Sequence, residues 1–346
     1  MRALIFRGPM DLAWEEIENP QIIDPRDALV RPIAVARCDL DPAIAMGLYP
    51  MPAPFVMGHE MVGEIVQVGE SVSGFHVGDQ VIVPFQLSCM TCPACLRGHT
   101  NACHLVPSGT AFGLGPHGGT DLGGALAELV RVPWADVMLI PLPAGIDPVT
   151  AAGIPDNVSD GYRCVANPLA ERPGAPVLVV GGLAPSVGLY AVMSAIALGS
   201  EKVVYVDDDP TRLEIASSLG AEVINATSQW GTLRLEQKFP IVVDANVLDA
   251  GRNFALRSVE PCGVCTSVSG GASSNSSIPL QSMYLKGISY EVGRVHACAT
   301  ARPVLDLVKA GALDPARIIN KVVPFSEAVD GMLLPVPKVV FINDFT

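Results

Sequence analysis

The sequence predicts an α/β protein in two parts: a small barrel-like β domain, then a doubly wound parallel sheet with helices on both faces. Three observations carry that expectation. The first 150 or so residues fall into short strand-length runs separated by glycine-bearing turns. From about Asp156 apolar strand-length runs alternate with helix-length segments, the pattern of a parallel sheet. The third is Gly181-Gly182-Leu183-Ala184-Pro185-Ser186-Val187-Gly188, a glycine-bearing loop that follows a strand and opens a helix.

In chain order, 1–6 and 11–17 read as a hairpin, and 28–36 alternates like a half-buried strand. Strands follow at 61–69, 79–84, 125–132 and 137–141. In the second part, 177–180 is a buried strand and 187–198 a helix rich in small residues. A strand at 202–206 ends in Asp207-Asp208-Asp209-Pro210, and 211–219 is a helix stopped by Gly220. Further strands are expected at 222–225, 241–244 and 264–268, and near Gly293 the chain returns to the first domain with a helix at 304–310 and a closing strand at 338–342. The expected domains are therefore 1–157 with 293–346, carrying a cysteine lobe at 89–103, and 158–292.

At 346 residues, 49% of them hydrophobic and 16% charged, the chain is long enough for a core in each domain. A net charge of −13 argues against nucleic acid or anionic membrane as general partners, leaving small molecules. The opening Met-Arg-Ala-Leu-Ile-Phe-Arg has no signal-peptide apolar core, and a cytoplasmic protein is expected. Residues 173–200 carry no charge and would pass a membrane-helix window, but Gly181-Gly182 and Pro185 interrupt them, so a buried strand, turn and helix is the better expectation. Nine cysteines without a secretory signal point to metal or free thiols rather than disulfides. Cys262-Gly-Val-Cys265 has redox spacing but is expected to be packing in a turn entering a strand.

The most specific motif is Cys89-x2-Cys92-x2-Cys95-x7-Cys103. Four thiolates satisfy a tetrahedral zinc completely and leave no place for a substrate, so this lobe is structural. A second constellation begins at Gly58-His59-Glu60, where a glycine permits a tight turn before a histidine and a carboxylate suited to a metal. Cys38 lies upstream and Ile154-Pro155-Asp156 downstream. Asp156 could equally cap a helix over 157–163.

Cys38, then Gly58-His59-Glu60-x2-Gly63, Gly69 and Gly78-Asp79, then the cysteine lobe and the nucleotide loop: this order resembles the zinc-dependent medium-chain alcohol dehydrogenases over nearly the whole chain. The Ile154-Pro155-Asp156 motif is similar to the bacterial secondary-alcohol branch. The resemblance implies a GroES-like catalytic domain and a Rossmann nucleotide domain. It implies a catalytic zinc on Cys38, His59 and Asp156, with Glu60 as a nearby or alternating ligand and Asp41 holding the other nitrogen of His59, although a turn role before Pro42 suits Asp41 as well. Three ligands leave one open position for an alcohol, which would lose its proton there and pass hydride to a nicotinamide. The resemblance also implies a homodimer or homotetramer.

The chain departs from its relatives in two places. Leu40 stands where a serine or threonine commonly passes on the alcohol proton, so water, a cofactor ribose hydroxyl or Glu60 must serve, or activity toward simple alcohols is poor. Aligning the G-x-G-x-x-G fingerprint on Gly188 puts Leu183 and Pro185 at the other glycines. Gly181 and Gly182 would then take over the turn, with Ser186, Val187 and Gly188 at the anion-attracting helix start. Asp207, about twenty residues on, would bind the adenosine ribose hydroxyls and favour NAD over NADP, whereas Arg212 would admit a 2′-phosphate. The sequence thus predicts an NAD-dependent zinc oxidoreductase acting on a secondary alcohol or polyol and its ketone. The alternative is a descendant that keeps the fold and the structural zinc without efficient hydride transfer. His117 and His296 lie where substrate loops would fall, and no spacing ties them to the metal.

Overall fold

The computed structural model describes residues 1–115, 121–227, 229–272 and 275–345. The chain divides into two compact units. The first comprises Met1–Ser159, His296–Lys309 and Asp314–Thr346; the second comprises Asp160–Val295 and Ala310–Leu313. The short Ala310–Leu313 piece thus goes with the second unit, although the sequence assigns everything after Gly293 to the first.

The first unit is built on two sheets. A seven-stranded sheet runs Lys321–Pro324, Val339–Ile342, Ala28–Ala36, Glu60–Val68, Gln80–Val83 and Ile140–Pro141, with Val130–Val132 also pairing on Ala28–Ala36. A three-stranded sheet holds Arg2–Gly8 between Asp11–Glu16 and Phe55–Val56. Buried side chains such as Leu4, Phe6, Val30, Met61, Ile65, Val83, Phe112 and Phe341 form one core between them. The register matters for function. Ala36 pairs with Glu60 on one side and with Val340 on the other, so three distant segments end side by side.

In the second unit six parallel strands follow the order Glu222–Asn225, Val203–Asp207, Val177–Val180, Phe239–Asp244, Val259–Ser267, Ser289–Val292. Numbered from Val177–Val180, this is the 3-2-1-4-5-6 order of the dinucleotide-binding fold. The four valine- and leucine-only positions of the first strand are fully buried, as a strand covered on both faces requires. The uncharged run at 173–200 resolves into that strand and the thirteen-residue helix Pro185–Ala197. No described helix is long and apolar enough to cross a membrane.

Several expectations shift. Only Val130–Val132 of the expected 125–132 strand is extended, and Ala135–Met138 is a helical turn because Trp134 adopts a left-handed conformation and turns the chain. Cys262 lies within the strand Val259–Ser267, at φ +61, rather than in a turn entering it. The expected 304–310 helix begins earlier, at Ala297. The edge strand Ser289–Val292 has an exposed face with little apolar alternation, which hid it from a period-two reading.

Gly58 carries the turn the sequence asks of it, at φ +88, and a Cβ there would sit 2.9 Å from Leu126 Cγ. Gly98 shares the left-handed φ, +84, in open space. Gly58→Ala should therefore cost about 2–4 kcal/mol, strain and overpacking together, and Gly98→Ala only about 1 kcal/mol. Urea unfolding of the two variants beside the parent measures the difference.

Candidate functional site

Two groups of metal-ligating side chains converge in the first unit. In the first, the donor atoms of Cys38, His59, Glu60 and Asp156 all lie within 4.8 Å of one another, and all four residues are buried. Cys38 follows the strand Ala28–Ala36, His59 comes from the turn after Gly58, Glu60 opens the strand Glu60–Val68, and Asp156 sits in the π-helical turn Ile154–Val158. Such turns are frequent at functional sites because they push a side chain off the regular helical spacing. The helix proper starts at Ser159, so Asp156 does not cap it; its Oδ2 stands 3.4 Å from His59 Nε2 instead.

Asp41 lies where it can orient the imidazole. Its Oδ1 is 3.6 Å from His59 Nδ1, and both atoms are buried with no hydrogen-bond partner. Its Oδ2 accepts the Cys38 backbone N–H at 2.9 Å, which tethers the carboxylate to the residue that opens the site. Leu40 begins the short helix Asp41–Ala45, with its side chain packed on the core and its N–H donating to Cys38 Sγ at 3.5 Å.

The charges in this cluster are mutually costly without a cation. Burial, then the carboxylates of Asp156 and Glu60, push the Cys38 thiol well above its ordinary range. Burial raises Glu60 to about 8 against the pull of Lys338. Burial alone would lower His59, but Asp41 and Asp156 outweigh it and lift the imidazole to about 9. Protons held on these groups are what a divalent cation replaces. Donors around a tetrahedral zinc stand about 3.3–3.8 Å apart, so this donor set fits one.

Sequence reading missed three residues of the site. Lys338 is fully buried, and its ammonium donates to both oxygens of Glu60, at 3.0 and 2.8 Å. It also donates to Asn157 Oδ1 at 2.8 Å and to the Arg37 carbonyl at 2.9 Å. Asn157 in turn donates through Nδ2 to Cys38 Sγ at 3.3 Å and to Asp156 Oδ2 at 3.0 Å. The buried Arg37 guanidinium donates to the carbonyls of Gly331, Met332, Leu334 and Val336, pinning the segment that delivers Lys338. The available signal was a lysine abutting the apolar run Val339–Phe341, visible but without a partner in the sequence.

The second group is Cys89, Cys92, Cys95 and Cys103, all buried and none in a disulfide. Cys92 and Cys95 sulfurs lie 3.5 Å apart and Cys89 and Cys95 sulfurs 3.9 Å, close to the ~3.8 Å edge of a zinc–thiolate tetrahedron. Backbone N–H groups of Thr91, Cys92 and His104 point at these sulfurs, stabilising thiolates in a lobe with little regular structure. The cluster could hold zinc in a closed shell.

In the second unit the nucleotide loop solves its own turn. Gly182 takes φ +154, and a Cβ there would lie 2.6 Å from Asn246 Nδ2. A Cβ at Gly181 would collide with the Asp207 carboxylate, and one at Gly188 would press on Ala245 Cβ at 3.1 Å. Leu183 needs no positive φ and is exposed, and Pro185 is the first helical residue, where its missing N–H costs nothing. Ser186 and Val187 follow it, buried, in the first turn. Asp207 is fully buried, its carboxylate held by Arg212 Nε at 2.9 Å and Nη2 at 2.6 Å, and by Tyr205 OH at 2.5 Å. It also accepts the N–H groups of Asp208 and Asp209.

The rings of His296 and His99 lie 5.3 Å apart and tilted, and His296 belongs to neither donor group; His117 lies outside the described residues. The four thiolates and the mixed donor cluster are both in the first unit, and the loop with Asp207 and Arg212 in the second.

Comparison with known proteins agrees with this layout. Residues 24–143 match the family model described as alcohol dehydrogenase GroES-like domain, and residues 186–310 the one described as zinc-binding dehydrogenase. The chain is 31% identical over 360 aligned positions to zinc-type alcohol dehydrogenase B of Aspergillus flavus, covering 99% of this chain and 81% of that protein. It is 33% identical over 256 positions to the L-galactonate-5-dehydrogenase of Escherichia coli, covering 73% and 70%. Among solved structures, the alcohol dehydrogenase TADH from Thermus sp. ATN1 superposes with a TM-score of 0.88 at 33% identity, covering 99% of this chain and all of that one.

Removing the ammonium tests the energetics of the cluster. Lys338→Met leaves Glu60 buried beside other carboxylates and should cost about 3–5 kcal/mol. Adding Glu60→Gln should restore at least half of the loss, and urea unfolding of the two variants checks it.

Proposed function

Since the chain belongs to the zinc-dependent medium-chain alcohol dehydrogenase family, we propose that it interconverts a secondary alcohol or polyol and its ketone with NAD(H) as the hydride partner. The observation that carries this reading is the buried convergence of Cys38, His59 and Asp156, a three-ligand set that leaves a fourth position open. Relatives whose names specify an alcohol or a sugar-acid dehydrogenase point to a hydroxyl-bearing substrate.

The residues divide the work. Cys38 and Asp156 bring two negative charges and His59 a neutral nitrogen, so the set balances a divalent zinc. Asp41, 3.6 Å from His59 Nδ1, is placed to orient the imidazole with Nε2 toward the metal. Lys338 holds both oxygens of Glu60 and so keeps that carboxylate out of the resting ligand set. Bound zinc would supply Lewis acidity that lowers the pKa of the substrate hydroxyl, and a bound nicotinamide would accept the hydride. With Leu40 unable to carry the hydroxyl proton, its release falls to water or to a ribose hydroxyl.

The loop Gly181–Gly188 and the helix start at Pro185 suit a pyrophosphate, with Gly181, Gly182 and Gly188 letting the loop pack closely on Asp207, Asn246 and Ala245. Arg212 is engaged by Asp207 and lies near Asp208 and Asp209, so it offers little to a 2′-phosphate. NAD is therefore the preferred nucleotide. The alternative of a non-redox descendant finds no support in the comparisons, and a turn made at Gly182 with Pro185 as the first helical residue supports the enzyme reading over it.

Metal analysis of purified protein should find about two zincs per chain, and Cys38→Ser or Asp156→Ala about one, with dehydrogenase activity lost to background. Two zincs and full activity in both variants would refute the ligand assignment. In fluorescence titrations NADH should bind at least about tenfold more tightly than NADPH, a difference of ~1.4 kcal/mol. Equal affinities would overturn the reading of Asp207 and Arg212.

A further inference from the structure

We infer that Asn157 is a positioning residue for the metal: its amide couples the Lys338 ammonium to Cys38 and Asp156, fixing both donors and drawing electron density from the thiolate. The inference rests on the proposed zinc site and deepens it.

The orientation of the Asn157 amide follows from chemistry alone. Lys338 Nζ can only donate, and it lies 2.8 Å from one end of the amide, so that end is the oxygen. The other end is then the NH2 group, whose two hydrogens serve the two anionic donors available, Cys38 Sγ at 3.3 Å and Asp156 Oδ2 at 3.0 Å. An ammonium at the oxygen polarises the amide and strengthens the N–H groups at its far side. The side chain is a neutral link between a cation and two metal donors.

The surroundings hold this link in place. Asn157 is 2% exposed and sits in the π-helical turn directly after Asp156, so its backbone cannot move without moving that donor. Lys338 is anchored by the Arg37 carbonyl and Glu60, which leaves Asn157 Oδ1 as the acceptor on its remaining side. An apolar residue at 157 would leave Cys38 and Asp156 without these donors and the ammonium one acceptor short, each a buried polar loss. A hydrogen bond to a metal-bound thiolate also lowers the energy of the sulfur lone pairs. The metal then receives less charge from sulfur and stays more electrophilic.

The test reads the thiolate itself. Protein carrying Co(II) in the mixed-donor site, with zinc retained in the four-cysteine lobe, should show a near-ultraviolet sulfur-to-cobalt charge-transfer band, and Cys38→Ser supplies the blank. In Asn157→Leu that band should move to longer wavelength, and zinc binding at the site should weaken about tenfold. Asn157→Ser, smaller and still polar, should move the band the same way if the leucine variant folds poorly. A merely structural role would lower the unfolding midpoint without moving the band. If the band keeps its position and zinc affinity is unchanged in a folded variant, the role of Asn157 falls while the metal site stands. If the parent shows no band that Cys38→Ser removes, the metal reading fails and this inference with it.

Discussion

The buried ammonium of Lys338 is the constraint on which the first unit's functional end depends. A fully buried charge is tolerated only when its hydrogen-bonding capacity is used, and here every direction is taken: Glu60, Asn157 and the Arg37 carbonyl. These three belong to strands or turns that are remote in sequence. Lys338 precedes Val339–Ile342, Arg37 follows Ala28–Ala36, and Glu60 opens Glu60–Val68. Because Ala36 pairs with both Val340 and Glu60, the sheet register brings the ammonium, the thiol and the carboxylate to one level. A slip of one residue would turn Lys338 to the other face and leave Glu60 buried without a counter-charge. Specificity of register and integrity of the site are thus the same requirement.

The two metal-ligating groups show how one element can be asked for two kinds of work. Around Cys89, Cys92, Cys95 and Cys103 the donors are chemically uniform, close in sequence and met by backbone N–H groups. Such a shell is complete with four bonds and stiffens a loop that has little core of its own. Around Cys38 the donors are mixed and come from three separated segments, and their partners are buried side chains: Asp41, Asn157 and Lys338. That arrangement fixes donor directions through a scaffold. On the proposed reading the first group serves stability and the second leaves a position for a substrate.

Those differences decide what could be read from the sequence. The cysteine lobe was legible because its donors lie within fifteen residues, and Cys38, His59 and Asp156 because they stand in motifs that resemble a family. The parallel sheet was legible from apolar runs such as Val177–Val180, whose burial on both faces leaves no polar interruption. Lys338 was not, since a lysine beside an apolar strand is ordinarily a surface residue, and its partner Glu60 is 278 positions away. Asn157 was hidden by its neighbour, because the π-helical turn that sets its direction is a tertiary outcome with no sequence period. Leu183 and Pro185 depart from the glycine fingerprint, and the turn is made one residue earlier, at Gly182, where the sequence offered a glycine; proline is well suited to the first helical position.

The same economy of charge governs the nucleotide end of the second unit. Asp207 is buried at the end of its strand, and a lone carboxylate there would be costly. Arg212, Tyr205 and two backbone N–H groups meet it, so the residue that would read a ribose is already in place, with its oxygens directed by the fold rather than by the ligand. A 2′-phosphate beside this carboxylate would add charge, which an uncharged ribose hydroxyl does not. To recruit Arg212 it would have to break a bidentate pair, strand Asp207 without its counter-charge, and sit beside Asp208 and Asp209. On the proposed NAD reading, the preference for an unphosphorylated ribose rests on the cost of dismantling this ion pair, and the arginine that sequence alone would offer to the phosphate is the residue that opposes it.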